Sequence, residues 1–436
     1  GADDVRAAIA SAPVQVPASW GPATAAAPVG TVFDARRRVS EAFKAWAERA
    51  LSYDPETAIL PPPVLDIRVS TGIGKSYTAR RAAVNLVRTL RATDDPRAAV
   101  LAVPRHNLGD EYAIDLAKIA PDLVVQSYRG RSAPDPEAEG ETMCRRADEA
   151  AAVQKAHGDV RSTLCRQGND RCAFFEICGH NRQRAARADI WIVPHATLWQ
   201  AKPAMIEPAA LVIDEDPTQD AFGGFGAPVR LALDELAMPL TIRQDDAGTA
   251  DLAELSGRVA SALRAGGDRV SLAAIKAEGL TTDDLTEARR LAFKAKIAPD
   301  ARPSTAAADL AERLAQIGPH NRQAMNRARL FGIIKEAIEA GLEKVPGLVC
   351  ETAKGKEGET FRAVRLRWRN EVATGWTVPT LIASATARPE VLRAIWPWLG
   401  DVIEADAASP FVSIRQITDR QFGAASLAPS EHAGSV

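Results

Sequence analysis

A glycine-containing loop early in the chain has the residue types that hold phosphate groups. The segment Val69-Ser70-Thr71-Gly72-Ile73-Gly74-Lys75-Ser76 matches the pattern G-x-x-x-x-G-K-[ST], except that Val69 replaces the first glycine. The glycines let backbone N–H groups close around phosphate oxygens. Lys75 can reach the β- and γ-phosphates, and Ser76 can ligate Mg²⁺. A Gly-rich turn that happens to contain Lys-Ser is the alternative. The predicted nucleotide contacts are Thr71, Gly72, Ile73, Gly74, Lys75, Ser76 and Tyr77.

Two adjacent carboxylates follow an apolar run much farther along the chain. Asp214 and Glu215 come directly after the apolar residues 211–213. Asp214 is the predicted Mg²⁺ ligand, and Glu215 is the predicted group that orients and deprotonates the attacking water. An acidic turn after a core strand is the common alternative. The phosphate loop upstream favours the catalytic interpretation of Lys75, Asp214 and Glu215.

Four of the five cysteines are clustered in a manner that suggests a metal centre. Cys144, Cys165, Cys172 and Cys178 lie within 35 residues, whereas Cys350 is remote and predicted to be a buried, inert thiol. Zinc modules usually contain Cys-x₂₋₄-Cys pairs, and this cluster has none. Widely spaced thiolates suit a cubane iron–sulfur cluster, while zinc and four free thiols remain alternatives. The segment 144–187 is also basic, with nine Lys/Arg against five Asp/Glu.

The elements that must position these groups alternate between strands and helices. Apolar runs predict strands at Val64–Val69, Ala98–Val103, 123–127, 190–193, 211–213 and 380–383. Helices are expected at 35–51, 77–93 and 108–119, so the pattern predicts an α/β fold with a mostly parallel sheet. Residues 230–345 have helical periodicity, with Ser304 as a candidate cap and a helix at 321–342. Segments 347–352 and 361–372 predict a β-hairpin.

Composition places the chain among ordinary globular proteins. Its 436 residues are 46% hydrophobic and 25% charged, and the formal net charge is −2. This balance excludes a histone-like polycation, although a local basic surface remains compatible with it. No stretch approaches the roughly 20 uncharged apolar residues of a membrane span, and no signal-peptide pattern begins the chain. The expectation is a cytoplasmic protein without a membrane partner.

The order of the motifs resembles that of the XPD/DinG group of iron–sulfur superfamily 2 DNA helicases. In that family the cluster domain lies between the phosphate loop and the acidic motif, as the four cysteines do here. Tyr128-Arg129-Gly130-Arg131 is similar to the family's Gly-Arg pair before the first cysteine. Residues 188–196 are similar to its Ala-Asp-hydrophobic-Asn-His segment, with Pro194 where Asn is usual, and residues 100–106 to its single-strand backbone motif.

The resemblance implies an ATP-dependent helicase that moves 5′→3′ on single-stranded DNA, with ATP, Mg²⁺ and a [4Fe–4S] cluster as cofactors. The four clustered cysteines would hold that cluster. Ser384-Ala385-Thr386, which is weak evidence alone because hydroxyl residues often end strands, would couple hydrolysis to strand movement. The candidate DNA-backbone contacts are Arg105, His106, Arg129 and Arg131.

The resemblance also implies a domain plan. One RecA-like domain would comprise 31–127, 188–229 and 346–436, after an Ala/Pro-rich lead-in at 1–30. An iron–sulfur module at 128–187 and a mainly helical, arch-like insertion at 230–345 would interrupt it, the latter a candidate contact for a protein partner. The 50 residues after Thr386 are too few for a second RecA-like domain. The expectation is therefore the first motor domain of a longer helicase, without the family's arginine fingers and with weak or no ATP hydrolysis in isolation.

Two other functions stay open at this point. One is a P-loop ATPase that carries a zinc-bound module and moves no nucleic acid. The other is a nucleic-acid-binding module whose nucleotide site is idle. DNA-stimulated hydrolysis would separate the first from a helicase, and salt-dependent single-strand binding without ATP turnover would indicate the second.

Overall fold

The computed structural model describes residues 30–69, 72–355, 358–405 and 407. Thr71, residues 408–436 and the predicted lead-in, apart from Gly30, lie outside the described residues. The strands are β1 (Val64–Val69), β2 (Ala98–Val103), β3 (Val125–Ser127), β4 (Arg166–Gln167), β5 (Asp170–Arg171), β6 (Ile190–Pro194), β7 (Pro208–Asp214), β8 (Phe222–Gly223), β9 (Val229–Ala232), β10 (Arg269–Ser271), β11 (Lys344–Lys354), β12 (Thr360–Leu366), β13 (Trp368–Arg369), β14 (Thr380–Ser384) and β15 (Leu399–Ala405).

The α-helices lie between these strands. They are α1 (Val32–Ser52), α2 (Lys75–Ala92), α3 (His106–Ile119), α4 (Ala147–Lys155), α5 (Gly179–Ala185), α6 (Thr218–Ala221), α7 (Leu233–Ala237), α8 (Asp246–Ala265), α9 (Leu272–Ala277), α10 (Thr282–Lys294), α11 (Ala307–Glu339) and α12 (Pro389–Ile395). Single π or 3₁₀ turns cover Arg161–Cys165, His195–Trp199 and Thr374–Trp376. None of the described helices is both long enough and apolar enough to cross a membrane.

The central sheet has seven strands, all parallel, in the order β15-β1-β14-β7-β2-β6-β3. All six residues of β2 are buried, and β1 is nearly as buried, because helices cover both faces. Strands of this kind read as continuous apolar runs, which is why the sequence predicts β1 and β2 with the bounds observed. The mixed α/β architecture is therefore confirmed, and the sheet is compatible with a RecA-like fold.

Two hydrophobic layers enclose this sheet. On one face α1, α2 and α3 pack against alternate residues of β1 and β2, with Phe43 and Trp46 fully buried. Helix α1 begins with a capping box between Thr31 and Asp34, and the Trp46 indole N–H donates to the carbonyl of Thr380 at 3.1 Å. On the other face Trp191, Trp376 and Trp396 are buried. Packing on both faces holds the parallel strands in place, so their carboxyl ends lie together at one edge of the sheet.

A second hydrophobic core forms around an antiparallel sheet of order β10-β11-β12-β9, packed on α8, α10 and α11. The sequence-based plan differs here. It assigns 230–345 to a mainly helical insertion and returns to the first domain at 346, whereas β11 and β12 pair with β9 and β10. The boundary is misplaced because β9 and β10 are too short, at four and three residues, to give a strand pattern.

Helix α11 is longer than the sequence suggests. The predicted helix at 321–342 is instead 33 residues long from Ala307, with Pro319 inside it. Ser304 is not its cap: Ala306 takes that position without a side-chain cap, and the Ser304 hydroxyl donates to Asp170 at 2.7 Å. The first turns of α11 also pack on α4, which connects the cysteine-containing segment to the second core.

Candidate nucleotide site and cysteine cluster

The carboxyl ends of β1, β7 and β14 bring the predicted nucleotide motifs together. Strand β14 lies between β1 and β7, with Ala383 in register with both Ile67 and Asp214. Loops that follow parallel strands meet at one edge of the sheet, where α/β proteins bind ligands. We call this edge, made of 72–76, Asp214, Glu215 and Ser384, the nucleotide edge.

The phosphate loop has the backbone geometry that its glycines allow. Gly72 and Gly74 have φ of +84° and +94°, and a Cβ at either position would meet nothing within 4 Å. The positive φ angles, rather than a lack of room for a side chain, therefore favour glycine at both positions. Gly74 precedes α2 directly, Ile73 is buried, and its carbonyl accepts from Arg36 Nε at 3.1 Å. Backbone N–H groups at the start of α2 are thus available to an anion.

Lys75 and Glu215 form an ion pair across the nucleotide edge. Lys75 Nζ lies 2.6 Å from Glu215 Oε1, and the lysine side chain is almost wholly buried. Glu215 has φ of +68°, an uncommon conformation for a residue with a side chain, and its N–H donates to the carbonyl of Ala383 at 3.0 Å. This sharp turn after β7 directs the carboxylate to the loop lysine, so bound phosphates would compete with Glu215 for Lys75.

Asp214 is buried and accepts hydrogen bonds from two hydroxyl groups. Ser76 Oγ lies 3.0 and 3.1 Å from its two carboxylate oxygens, and the Tyr112 hydroxyl donates to Oδ2. Burial raises the pKa of Asp214, while the Tyr112 and Ser76 bonds and the Lys75 charge oppose the shift. Burial likewise raises the pKa of Tyr112, so its hydroxyl stays a donor. The two residues predicted to hold Mg²⁺ are therefore in direct contact.

Tyr112 and His195 belong to this network, although sequence reasoning assigned neither a role. Tyr112 lies on α3 under the Arg80 guanidinium, which is 4.4 Å from its ring centre. His195 Nε2 lies 2.9 Å from the Asp214 carbonyl, and burial lowers the pKa of His195, which favours the neutral ring. His195 occupies the family-like segment 188–196, which was the available signal. Nothing in the sequence around Tyr112 marks it.

Ser384 and Tyr77 take positions that leave their predicted roles open. The Ser384 hydroxyl accepts from the N–H groups of Thr386 and Ala387, both at 3.1 Å, so it stabilises the turn after β14. Ala385 lies within that turn, and coupling by this segment stays a prediction. Tyr77 is half exposed on α2, and its hydroxyl accepts from Arg81 at 2.8 Å.

The four arginine and histidine candidates for DNA contact are not equivalent. Arg105 is exposed at the start of α3, and His106 beside it is half-buried, with its pKa lowered by burial and by Arg129. Arg129 donates to Asp110, and Gln183 bonds its backbone N–H and carbonyl at 3.1 and 2.7 Å. Arg129 is therefore engaged within the fold, which leaves Arg105 as the most accessible candidate.

The four clustered cysteines converge on one small cavity, which we call the cysteine cavity. The backbone carbonyl of Cys165 accepts from Cys172 N–H at 3.0 Å beside the β4–β5 hairpin, and Cys178 precedes α5. Cys144 is the remaining member, and the Cys178 thiol donates to the Met143 carbonyl at 3.4 Å. Cys350 lies in β11, where its thiol donates to the Leu263 carbonyl, as expected of a buried inert cysteine.

Charges around the cysteine cavity favour a thiolate at Cys178. The neighbouring Cys144 thiol, the N–H groups of Asn181 and His180 and the Arg131 guanidinium lower the pKa of Cys178 against the effect of its burial, while Cys178 and burial raise the pKa of Cys144. Arg131, a predicted DNA contact, is thus an electrostatic neighbour of the thiols. Among the described residues no group of three or more His, Cys, Asp or Glu is arranged to hold a metal ion. The cavity that the four thiols line measures about 10 Å³, room for about one water-sized sphere, so a multi-iron cluster would require these thiols to move apart.

The sequence matches no protein-family model and no curated protein. The contacts within the chain are therefore the basis for its proposed function. Those contacts unite the phosphate loop with the acidic motif and gather the four clustered thiols at a separate cavity.

Proposed function

We propose that the chain is an ATP-hydrolysing motor domain of a DNA helicase similar to the XPD/DinG group. The observation that carries this proposal is the direct contact between two motifs far apart in sequence: Ser76 with Asp214, and Lys75 with Glu215. A Gly-rich turn and an acidic turn that merely occurred in the same chain would have no reason to meet in this way. The parallel sheet beneath them is compatible with the fold that such motors use.

Each residue of the nucleotide edge has a distinct role in this proposal. The N–H groups at the start of α2 and the Lys75 ammonium bind the phosphates, and Ser76 with Asp214 would hold Mg²⁺, which offsets the phosphate charge. Tyr112 is a positioning residue that fixes the Asp214 carboxylate. Glu215 orients water and accepts its proton once phosphates have displaced it from Lys75.

The four cysteines are proposed to hold a [4Fe–4S] cluster within a DNA-contacting module. The supporting features are the shared cavity, the lowered pKa of Cys178 and the adjacent Arg131 charge. A cluster bound there would cross-link four points of a segment made of short elements. Exposed Arg105 is the leading candidate for the single-strand backbone.

Glu215→Gln tests the proposal because it should separate binding from hydrolysis. Removing the carboxylate frees Lys75 for the phosphates, so ATP should bind more tightly than to wild type. Hydrolysis should fall roughly 10²–10⁴-fold, the usual contribution of a general base. Calorimetric ATP titration and phosphate release measure the two effects.

Glu207→Gln is the matched control, since Glu207 is exposed and lies one residue before β7, at the opposite end of the strand. It should leave both quantities unchanged. Weaker ATP binding in Glu215→Gln, or hydrolysis equal to wild type, would contradict the assignment.

A further inference from the structure

A cavity of about 520 Å³ opens where the two hydrophobic cores meet, away from the residues of the nucleotide edge and the cysteine cavity. Phe222 contributes from the first core, Ile333 and Trp368 from the second, and exposed Ala394 from α12. The two-stranded ribbon of β8 and β13 forms part of its wall. We call it the ribbon cavity.

The sequence Phe222-Gly223-Gly224-Phe225-Gly226 shapes this wall, and none of the functions above uses it. A Cβ at Gly223 would lie 2.1 Å from the Trp368 ring, so the indole packs directly on the backbone. Gly224 has φ of +77°, and a Cβ there would lie 2.2 Å from the Leu366 carbonyl oxygen. Both positions therefore require glycine, and the two phenylalanines are presented on a tightly fixed ribbon.

An exposed aromatic ring and an unpaired cation lie side by side in the ribbon cavity. Phe225 is 58% exposed and packs edge-to-face on Phe222, with ring centres 6.0 Å apart. The Arg367 guanidinium is 4.7 Å from the Phe225 ring centre. Within the described part of the chain, Arg367 has no ion-pair or side-chain hydrogen-bond partner, and its Nε atom is buried. Arg367 is half-buried, so its outer guanidinium N–H groups can donate to an acceptor from outside the chain.

The remaining charges of the cavity also favour an anion. Arg369 lines it and donates to the Ala394 carbonyl, with no ion pair among the described residues. Glu336 is the single acidic residue among those described that line the cavity, and burial raises its pKa, which disfavours its charged form. The lining thus has two arginines against one carboxyl group.

We propose that the ribbon cavity binds a nucleotide unit of single-stranded DNA, with the base on Phe225 and the phosphate at Arg367. Bases stack on exposed aromatic rings, and arginine beside the ring adds phosphate and cation–π contacts. A free phosphate would leave the aromatic surface unused, and an apolar peptide would leave Arg367 unpaired. The choice of DNA as the ligand rests on the proposed function, but binding in the ribbon cavity requires neither ATP nor the four clustered cysteines.

The ribbon of β8 and β13 lies close in sequence to the motifs of the nucleotide edge. Strand β8 follows the acidic motif after only α6, and β13 leads through the Thr374–Trp376 turn into β14, which ends at Ser384. Asn370 ties the two sides together, because its N–H donates to the Ala221 carbonyl at 2.6 Å. The ribbon cavity is therefore adjacent in sequence to both motifs of the nucleotide edge.

Binding of a fluorescent oligothymidylate of about ten nucleotides to the full chain, without ATP, tests this site by anisotropy. Phe225→Ala should weaken binding roughly 5- to 100-fold, the range for loss of one stacked base. Phe225→Leu, which keeps an apolar side chain, should weaken it similarly. Phe293→Ala is the matched control: Phe293 is 43% exposed on α10 under Arg289, 5.8 Å from its ring centre, and its loss should change nothing.

Salt dependence separates the two roles. Arg367→Ala should reduce the slope of log affinity against log salt by about 0.7, because one phosphate contact is lost. Phe225→Ala should leave that slope unchanged. Wild-type affinity in both Phe225 variants, or no oligonucleotide binding by the wild type, would overturn the site. Failure of ATP binding would refute the proposed function while leaving these outcomes unaffected.

Discussion

The nucleotide edge and the cysteine cavity differ in what holds their functional groups in place. The nucleotide edge lies at the end of a seven-stranded sheet with hydrophobic layers on both faces, and its carboxylates already have hydroxyl and ammonium partners. The cysteine cavity is held by two-residue strands and helices of seven and nine residues, over a core of eight buried residues. Its thiols lie beside one another, and the Cys178 thiol donates to the Met143 carbonyl.

The cysteine cavity therefore depends on a ligand for its shape more than the nucleotide edge does. Large apolar layers fix strand ends without help, so the nucleotide edge should persist with or without ATP. A segment with few buried apolar contacts gains much of its order from whatever cross-links it. If the proposed cluster is bound, we therefore expect its loss to loosen 128–187 while ATP binding continues.

The largest expected effect comes from breaking the cysteine cavity. Cys178→Ser removes the residue whose pKa is most favourable for a thiolate, so iron and sulfide bound under anaerobic conditions should be lost. Proteolysis within 128–187 should become rapid, whereas ATP affinity should stay within about twofold of wild type. Metal analysis, limited proteolysis and ATP titration measure the three quantities.

Cys350→Ala is the control for this change, since Cys350 lies in the second core. It should retain full iron content. A wild-type protein that holds zinc, or no metal, would contradict the iron–sulfur proposal. Loss of ATP binding in Cys178→Ser would contradict the independence of the two sites.

A smaller effect is expected at Asp66, a second buried carboxylate of the central sheet. Its side chain is fully buried on β1, yet neither carboxylate oxygen has a hydrogen-bond partner among the described residues, unlike Asp214. Burial raises the pKa of Asp66 to about 6. Asp66→Asn removes this buried charge and should increase the free energy of unfolding at pH 8 by about 1–2 kcal/mol, a modest figure because the buried amide would also lack hydrogen-bond partners.

The sign of the pH dependence follows from the raised pKa. Between about pH 4 and 6 the folded chain keeps a proton that the unfolded chain has released, so wild-type stability falls as the pH rises through this window. The gain from Asp66→Asn should therefore grow from pH 4.5 to pH 7 in urea titrations. Asp401→Asn, at an exposed position on β15, should show no such gain. A pH-independent difference would show that Asp66 is not the titrating group.

The parts of the fold that follow from the sequence are those with local signals. Strands β1 and β2 are continuous apolar runs bounded by turns, and their bounds are predicted correctly. The hairpin of β11 and β12 is predicted correctly. The outer strands of the antiparallel sheet, β9 and β10, are missed because they are too short and acquire their role only by pairing with that hairpin. Pairing between distant segments leaves no periodicity to detect.

The residues of the candidate site likewise divide into those with a local sequence signal and those without one. Lys75, Ser76, Asp214 and Glu215 are recognisable because spacing and flanking apolar residues mark them. Tyr112 is not, since its contact with Asp214 depends on how α3 packs against β2 and β6. Arg129 illustrates the converse: its sequence context suggests DNA, but a tertiary contact with Asp110 occupies its guanidinium.

The most direct test of ATP binding at the nucleotide edge is the ATP affinity of the Lys75→Ala variant. The matched control is Lys118→Ala, because Lys118 is 72% exposed on α3, with its nearest carboxylate at 4.0 Å. Calorimetric titration with Mg²⁺-ATP should give binding by the wild type and by Lys118→Ala, and no measurable binding by Lys75→Ala. Equal affinity in all three proteins would show that the nucleotide edge does not bind ATP.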